Sequence, residues 1–220
     1  VDIADGVGIR FEPGEGTPAT GLLISGNLFS NINGIAPSGA AIELYKGTRD
    51  AVVSNNHIDS VKAYAIQVNG GNGSVLNTTI SDNVISDSLA LGTPTAFVLT
   101  NVSGMQVRDN TISGVSTGVY FSDKVSNFDL TCNSINALNR GISTSNAFGN
   151  FPNTAIRILD NAVLGGATAD INNSQSQELM VGSNWYGGTP ALVTGSNIFV
   201  ADALPATPIG EAACGDNAPT

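Results

Sequence analysis

Charged side chains are scarce in this sequence. Asp, Glu, Lys and Arg make up 12% of the 220 residues, about half of the share in ordinary soluble domains. The chain has eighteen acidic and eight basic residues, which gives a net charge of −10. Because phosphate and anionic lipid recognition need clustered Lys and Arg, the composition argues against nucleic acid and a membrane surface as partners. No run of about 18 apolar residues occurs, so we predict no membrane span.

Cysteine, histidine and tryptophan are also rare: the chain has two cysteines, one histidine and one tryptophan. No His, Cys and Asp cluster has zinc spacing, and we find neither a nucleophile elbow nor a phosphate-binding glycine loop. We therefore predict no catalytic residue and no bound metal. The two cysteines leave two alternatives open: a Cys132–Cys214 disulfide, which suits an oxidising compartment, or two thiols with Cys132 facing the core.

Internal repeats are what the sequence has in abundance. Seven segments align without gaps: LLISGNLF (22–29), AVVSNNHI (51–58), TTISDNVI (78–85), MQVRDNTI (105–112), FDLTCNSI (128–135), IRILDNAV (156–163) and LMVGSNWY (179–186). They share one asparagine: Asn27, Asn56, Asn83, Asn110, Asn133, Asn161 and Asn184. An aliphatic residue precedes it by three positions, and a large apolar residue follows it by two.

A second repeated segment lies between these. It reads small–apolar–x–apolar, as in GIRF (8–11), AIEL (41–44), AIQV (65–68), AFVL (96–99), GVYF (118–121) and GIST (141–144). Alternation at period two indicates a strand with one buried face. Such short strands are unstable alone but stable when stacked on their counterparts in neighbouring repeats.

We therefore predict an all-β fold, a single-stranded right-handed parallel β-helix of about seven to eight coils. It would cover residues 1–200, followed by a tail or cap over residues 201–220. The seven asparagines would mark a sharp bend, because asparagine tolerates left-handed backbone geometry, and their amides would bond one another in a ladder.

These repeats resemble the parallel β-helix repeat family, whose members include pectate-lyase-like enzymes and many bacterial surface proteins. The resemblance covers about residues 7–200. SNWYGGTPAL (183–192) is similar to a motif that often closes such repeats in secreted bacterial proteins. The resemblance implies a fold rather than one activity, since the fold hosts lyases, hydrolases and adhesins.

In enzymes of this family the site lies on the face formed by the strand that begins with Gly or Ala here. Its outward positions give a first column of Arg10, Glu43, Gln67, Val98, Tyr120 and Ser143, and a second of Glu12, Tyr45, Asn69, Thr100, Ser122 and Ser145. On this groove we predict a polysaccharide-binding set: Arg10, Glu43, Tyr45, Lys46, Gln67, Asn69 and Tyr120.

The acids that catalysis needs are not placed together in the sequence. The family's hydrolases carry paired Asp residues just before this strand, where the chain reads SGA (38–40), KAY (62–64) and TPT (93–95). Lyases need clustered acids for Ca²⁺ and a basic residue. The nearest approach is one loop: Glu43, Lys46, Arg49 and Asp50. A separate acidic row, Asp82, Asp109 and Asp160, is either a solvated face or a Ca²⁺ site.

Three hypotheses for function remain, all for an extracellular or cell-surface protein. The first is a non-enzymatic structural or adhesive module, part of a larger protein, that binds polysaccharide or a cell-surface component. The second is a polysaccharide lyase or hydrolase acting on polyuronate, or its inactive remnant. The third is a filament subunit that stacks end to end, since Val1–Phe11 leads into a strand without a cap.

Overall fold

The computed structural model describes residues 2–3, 6–14, 17–36, 39–87, 92–145, 154–164, 166–188 and 190–201. Within these ranges every regular element is a β-strand. Of the predicted tail over residues 201–220, only Ala201 is among them, so that division of the chain stays a prediction.

The strands, numbered in chain order, are β1 Asp2–Ile3, β2 Ile9–Phe11, β3 Ala19–Thr20, β4 Leu23–Ser25, β5 Leu28–Ile32, β6 Ala40–Tyr45, β7 Thr48–Arg49, β8 Val52–Ser54, β9 His57–Val61, β10 Tyr64–Asn69, β11 Val75–Leu76, β12 Thr79–Ser81, β13 Val84–Ser86, β14 Thr95–Arg108, β15 Thr111–Ser113, β16 Thr117–Thr131, β17 Ser134–Asn136, β18 Arg140–Thr144, β19 Thr154–Leu159, β20 Ala162–Leu164, β21 Ala169–Asn173, β22 Leu179–Val181, β23 Val193–Gly195 and β24 Ile198–Val200.

The strands form two sheets in which equivalent strands of successive coils lie side by side. Sheet A contains β1 and the six strands that follow ladder asparagines: β5, β9, β13, β15, β17 and β20. Sheet B contains the other seventeen. Pairings such as β10 with β14 and β4 with β8 are parallel. This confirms the predicted parallel β-solenoid.

The number of turns is slightly smaller than predicted. The described part of the solenoid makes about five turns rather than seven to eight coils.

The core is a set of aliphatic columns that the repeats predict. Ile80 pairs with Val53 in one neighbouring coil and with Val107 in the other, and all three side chains are buried. Ile85 occupies the same kind of position in sheet A, between Ile58 and Ile112. Stacking like side chains in register fills the interior, which stabilises strands too short to persist alone.

The asparagine ladder is present, but its asparagines do not have the left-handed backbone that we predicted for them. The residues with a left-handed backbone lie one position before the ladder, with φ between 54° and 70°: Gly26, Asn55, Asp82, Asp109, Cys132 and Asp160. The ladder asparagines follow this bend and point inward. The prediction that they adopt the left-handed geometry themselves is wrong.

A second left-handed corner was missed at the sequence level. It lies six residues before the ladder, with φ between 49° and 72°: Gly21, Asp50, Asn77, Gly104, Asn127 and Ala155. Five of its six members are Gly, Asn or Asp, the residues that tolerate this geometry best. That recurring composition is the signal that would have located the corner.

Cys132 lies at one of these corners and is half-buried, so the alternative that it faces the core is not what the structure shows. Cys214 lies outside the described residues, and the Cys132–Cys214 disulfide stays a prediction.

Two strands of sheet B, β16 and β18, have glycine as their second residue, and the reason is steric. A Cβ at Gly118 would overlap Ile135 Cγ2 and would lie 2.5 Å from Gly141 O. At Gly141 the nearest atoms would be Val163 Cγ1 at 2.5 Å and Asp170 O at 2.6 Å. The small residue lets this strand approach sheet A closely at the corner between them.

Candidate binding face

The candidate site is the outward side of one half of sheet B, which we call the groove face. It consists of β2, β6, β10, the first parts of β14 and β16, β18, β21 and β23. Because parallel strands stack in register, equivalent positions form straight rows along the solenoid axis at about 4.8 Å per coil.

The first row coincides with the predicted first column. Successive pairings join Arg10, Glu43, Gln67, Val98, Tyr120 and Ser143, and the row continues through Asn172 and Thr194. Asn172 Nδ2 donates to Ser143 Oγ at 3.0 Å, and Thr194 Oγ1 donates to Asn172 Oδ1 at 2.9 Å. Sequence reasoning missed the last two members because their strands lack the small–apolar–x–apolar pattern.

The second row differs from the prediction at one position. Tyr45, Asn69 and Thr100 pair as expected, but Thr100 then pairs with Asp123 because the register shifts after Leu99. Ser122 is the extra residue of the resulting β-bulge, so its assignment to the row was wrong. A bulge depends on tertiary pairing and left no mark in the repeat pattern.

Arg10 connects three of the groove residues at one end of the face. Its Nη2 lies 3.0 Å from Glu12 Oε2, and its Nε lies 3.5 Å from Glu43 Oε2. The guanidinium also lies 5.0 Å from the centre of the Tyr45 ring, within cation–π range. The Arg10 side chain is 43% exposed, whereas that of Glu43 is 3% exposed. Arg10 therefore covers Glu43 from solvent.

Among the described residues, three buried oxygen atoms of the groove face accept no hydrogen bond: Glu43 Oε2, Gln67 Oε1 and Asp123 Oδ1. Glu43 Oε2 has its ion contact with Arg10, and Glu43 and Gln67 are partners in adjacent strands. A buried acceptor without a donor is costly, so the Gln67 oxygen favours a bound donor group, and the carboxyls of Glu43 and Asp123 favour a bound donor or protonation. The predicted groove residues Glu43 and Gln67 thus form its floor, and Tyr45, Asn69 and Tyr120 are only partly buried above it.

Two carboxyls of this face, those of Glu43 and Asp123, have raised pKa values. Burial raises the pKa of Glu43, while Arg10 opposes the rise and Glu12 adds to it. Burial also raises the pKa of Asp123, against the lowering effects of the Lys124 charge and backbone N–H. Perturbed carboxyls on one surface are typical of functional sites, although structural burial produces the same shift.

Tyr64 belongs to the same face and was not among the predicted residues. It is half-buried, and its pKa is raised by burial first and by the neighbouring Tyr120 second. Tyr64 lies three positions before Gln67, and it pairs with Ala40 and Thr95. The face therefore carries three tyrosines, at Tyr45, Tyr64 and Tyr120.

A cleft of about 720 Å³ opens where the groove face meets the other half of sheet B. It contains Lys46 from the predicted binding set and Arg49 from the same turn. Its other walls are Pro13, Gly14, Thr17, Pro18, Gly47, Asn72, Gly73, Ser74, Leu76 and Asn101.

Glu43 and Asp123 are too far apart to act as a hydrolase pair. They lie in strands three steps apart, β6 and β16, with β10 and β14 between them. Three strand spacings amount to about 14 Å. Hydrolysis of a glycosidic bond uses carboxyls about 5 to 9.5 Å apart.

Among the described residues, no group of three or more His, Cys, Asp or Glu side chains lies close enough to hold a metal ion. The acidic row of Asp82, Asp109 and Asp160 has a backbone explanation, because each occupies the left-handed corner before the ladder. Likewise, no helix in the described ranges is long and apolar enough to cross a membrane.

Comparison with known proteins gives one family. A family model described as "Right handed beta helix region" matches residues 8–198. Neither the curated proteins nor the solved structures contain a significant match.

Proposed function

Because the chain belongs to the right-handed β-helix family, we propose that it is a non-catalytic structural or adhesive module whose groove face binds an extended polysaccharide. The observation that supports this proposal is the row from Arg10 to Thr194. Every member except Val98 has a polar side chain, and the row repeats once per coil along the axis.

The spacing of the row fits a polymeric ligand better than a small one. Neighbouring coils are about 4.8 Å apart, close to the length of one sugar unit in an extended chain. Each coil therefore offers contacts to one unit. Tyr45 and Tyr120 add flat apolar surfaces with polar tips, and the Gln67 Oε1 atom, which accepts no hydrogen bond within the described residues, can accept one from a sugar hydroxyl.

We place this module outside the cell or at the cell surface, as part of a larger secreted bacterial protein. The low content of charged residues and the abundance of Asn, Ser, Thr and Gly support this placement, since such compositions are common in secreted β-rich proteins.

A polysaccharide lyase is the second candidate, favoured by the surroundings of Glu43. Burial raises the pKa of this carboxyl, and the Arg10 guanidinium lies 3.5 Å away. A buried carboxyl beside a cation is an arrangement that proton abstraction can use. A Ca²⁺ requirement would belong to this candidate.

Self-assembly is the third candidate, favoured by the last coil. In the described ranges β23 pairs with β21 alone, and β24 pairs with β22 alone. An open strand edge can pair with another chain. Light-scattering masses that rise with protein concentration would support a filament.

The deciding experiment is a polysaccharide array with the purified chain, read for binding and for cleavage products, with and without Ca²⁺. We expect binding without cleavage. Tyr120→Ala should weaken that binding about tenfold, or about 1.4 kcal/mol, because Tyr120 lies in the middle of the row. The matched control is Phe199→Ala, which removes an exposed aromatic ring from the other half of sheet B.

If the parent protein formed cleavage products and the Glu43→Gln variant did not, the lyase would be supported and the non-catalytic binding module contradicted. Equal weakening by Tyr120→Ala and Phe199→Ala would show that the groove face is not the binding surface.

A further inference from the structure

The middle of the groove face combines an amide with an apolar group. Gln67 of β10 and Val98 of β14 are neighbours in the first row, and their side chains are only 5% and 6% exposed. Val98 is the one apolar member of that row. The two side chains therefore lie side by side, one strand spacing of about 4.8 Å apart.

The oxygen of the Gln67 amide lacks a donor. Oε1 is buried and accepts no hydrogen bond within the described residues. The ionised carboxylate of the neighbouring Glu43 offers only acceptors, and it is the Arg10 Nε atom that lies 3.5 Å from it. A buried acceptor in this state is costly. Because the terminal torsion of glutamine is broad, the amide can turn toward the groove and meet a donor of a ligand.

Two tyrosines flank Val98. Tyr64 belongs to β10 and Tyr120 to β16, the strands on either side of β14. Burial raises the pKa of Tyr64, and the Tyr120 phenol adds to the rise, so the two side chains approach each other. Both are partly exposed. Their rings provide apolar faces with polar tips, on which a sugar ring can pack.

The acetamido group of an N-acetylated amino sugar matches this combination. Its N–H can donate to Gln67 Oε1 and its carbonyl can accept from Gln67 Nε2, because a primary amide offers both an acceptor and donors. Its methyl group can pack on Val98, away from water. A sugar hydroxyl supplies the donor without the methyl group, and a uronate carboxylate supplies no donor.

The charge of the chain also favours a neutral ligand. The net charge of −10 repels a polyanionic chain at long range. In the first row, the Arg10 guanidinium already contacts Glu12 and Glu43. An acetamido sugar has no charge and needs no cation.

We propose that the middle of the groove face is a subsite for the acetamido group of an N-acetylated amino sugar. Gln67 determines its specificity, and Val98, Tyr64 and Tyr120 complete it. The inference deepens the proposed function, on which it rests, by naming the polymer: the extended polysaccharide is built from acetamido sugars.

The first test compares oligosaccharides of equal length that differ at one ring position. The probes are the β-linked oligomers of N-acetylglucosamine, glucosamine and glucose, with an acetamido, amino or hydroxyl group there. Isothermal titration calorimetry measures their dissociation constants. We expect the acetamido oligomer to bind at least about tenfold more tightly than the glucose oligomer, from one added hydrogen bond and one buried methyl group. Equal or tighter binding of either other oligomer would overturn the inference.

The second test removes the amide. Gln67→Met keeps a side chain of similar length, and it should not destabilise the fold, because it replaces a buried acceptor that lacks a donor. We expect the affinity for the acetamido oligomer to fall about tenfold and that for the glucose oligomer to fall less. The matched control is Gln106→Met, at an exposed position in the other half of sheet B, which should change neither. An unchanged preference for the acetamido oligomer in Gln67→Met would refute the role of Gln67.

A third measurement uses the parent protein and depends on no variant. The side-chain NH₂ signals of Gln67 and Gln106 are followed by NMR while N-acetylglucosamine or, separately, glucose is added. We expect only the Gln67 signals to shift and saturate, and only with N-acetylglucosamine. Equal shifts at Gln67 and Gln106 would contradict the subsite.

The two proposals fail in different ways. If the three oligomers bound equally and Tyr120→Ala weakened all of them, the polysaccharide-binding groove would be kept and the acetamido subsite rejected. Saturable shifts at Gln67 with N-acetylglucosamine, without tighter binding of longer oligomers, would keep the subsite and reject the binding of an extended polysaccharide.

Discussion

Asn110 Nδ2 donates a hydrogen bond to Asn133 Oδ1 at 2.9 Å, and the backbone N–H of Asn110 donates to the same oxygen at 3.0 Å. Asn110 Nδ2 also contacts Ile80 O in the preceding coil at 3.0 Å. One buried amide therefore joins three successive coils. The same pattern recurs from Asn27 to Asn184, which makes the ladder a continuous polar spine inside an apolar solenoid.

Replacing Asn110 should damage two coils at once. In Asn110→Ala, Asn83 would lose the acceptor of its backbone N–H and of its Nδ2. We expect the free energy of unfolding to fall by about 3 kcal/mol, as for other broken buried networks. Urea denaturation followed by circular dichroism measures it. Asn136→Ala, at an exposed position of β17, should change stability by less than about 0.5 kcal/mol; losses of equal size would refute the role of the ladder.

The corner before the ladder provides a backbone prediction. Asp82 is exposed with φ 57°. Asp82→Gly should be nearly neutral, because glycine adopts this conformation freely, whereas Asp82→Val should cost about 1 to 2 kcal/mol. Thermal unfolding of both variants, with and without Ca²⁺, is the measurement. If Ca²⁺ stabilised the parent but not Asp82→Gly, the acidic row would be a metal site after all.

Gly118 tests the close approach of sheet B to sheet A. In Gly118→Ala the new methyl group would overlap Ile135 and press on Gly141 O. We expect a loss of about 1 to 3 kcal/mol, typical of overpacking, measured by urea denaturation. Gly14→Ala is the matched control, since a Cβ there would meet nothing within 4 Å. A neutral Gly118→Ala would mean that the corner can relax.

Glu43 should make stability depend on pH in a defined direction. Burial raises its pKa above the ordinary value of 4.5, although Arg10 opposes the shift. The folded protein then holds this proton more tightly than the unfolded chain does. The stability contributed by the group is therefore complete below pH 4.5 and is lost as the pH rises through the folded pKa. Glu43→Gln should remove this decline.

Urea denaturation at several pH values, from below 4.5 to neutral, measures how Glu43 affects the free energy of unfolding. Glu178→Gln, which replaces an exposed carboxyl, is the control variant. Asp123→Asn should remove a separate part of the decline, because burial raises that pKa as well. An identical profile for the parent and Glu43→Gln would show that Glu43 ionises normally.

Much of the candidate site could be predicted from the repeat, and the residues that could not be predicted can be named. The row from Arg10 to Ser143 was predictable, because period-two strands in register must align their outward positions. Asp123 was not, since the bulge that moves it into the second row arises from pairing with β14. The burial of Glu43 could not be predicted either, because the sequence does not show that the Arg10 guanidinium lies 3.5 Å from its carboxylate.

The solenoid, its inward columns and the asparagine ladder could all be predicted from the repeats. These features repeat in every coil, and each copy makes the same local demand for an apolar, polar or small side chain. Which outward groups are buried and where the cleft opens could not be predicted from the repeat. These depend on differences between coils, such as a loop beside a continuous strand, whose consequences appear only when the coils are stacked.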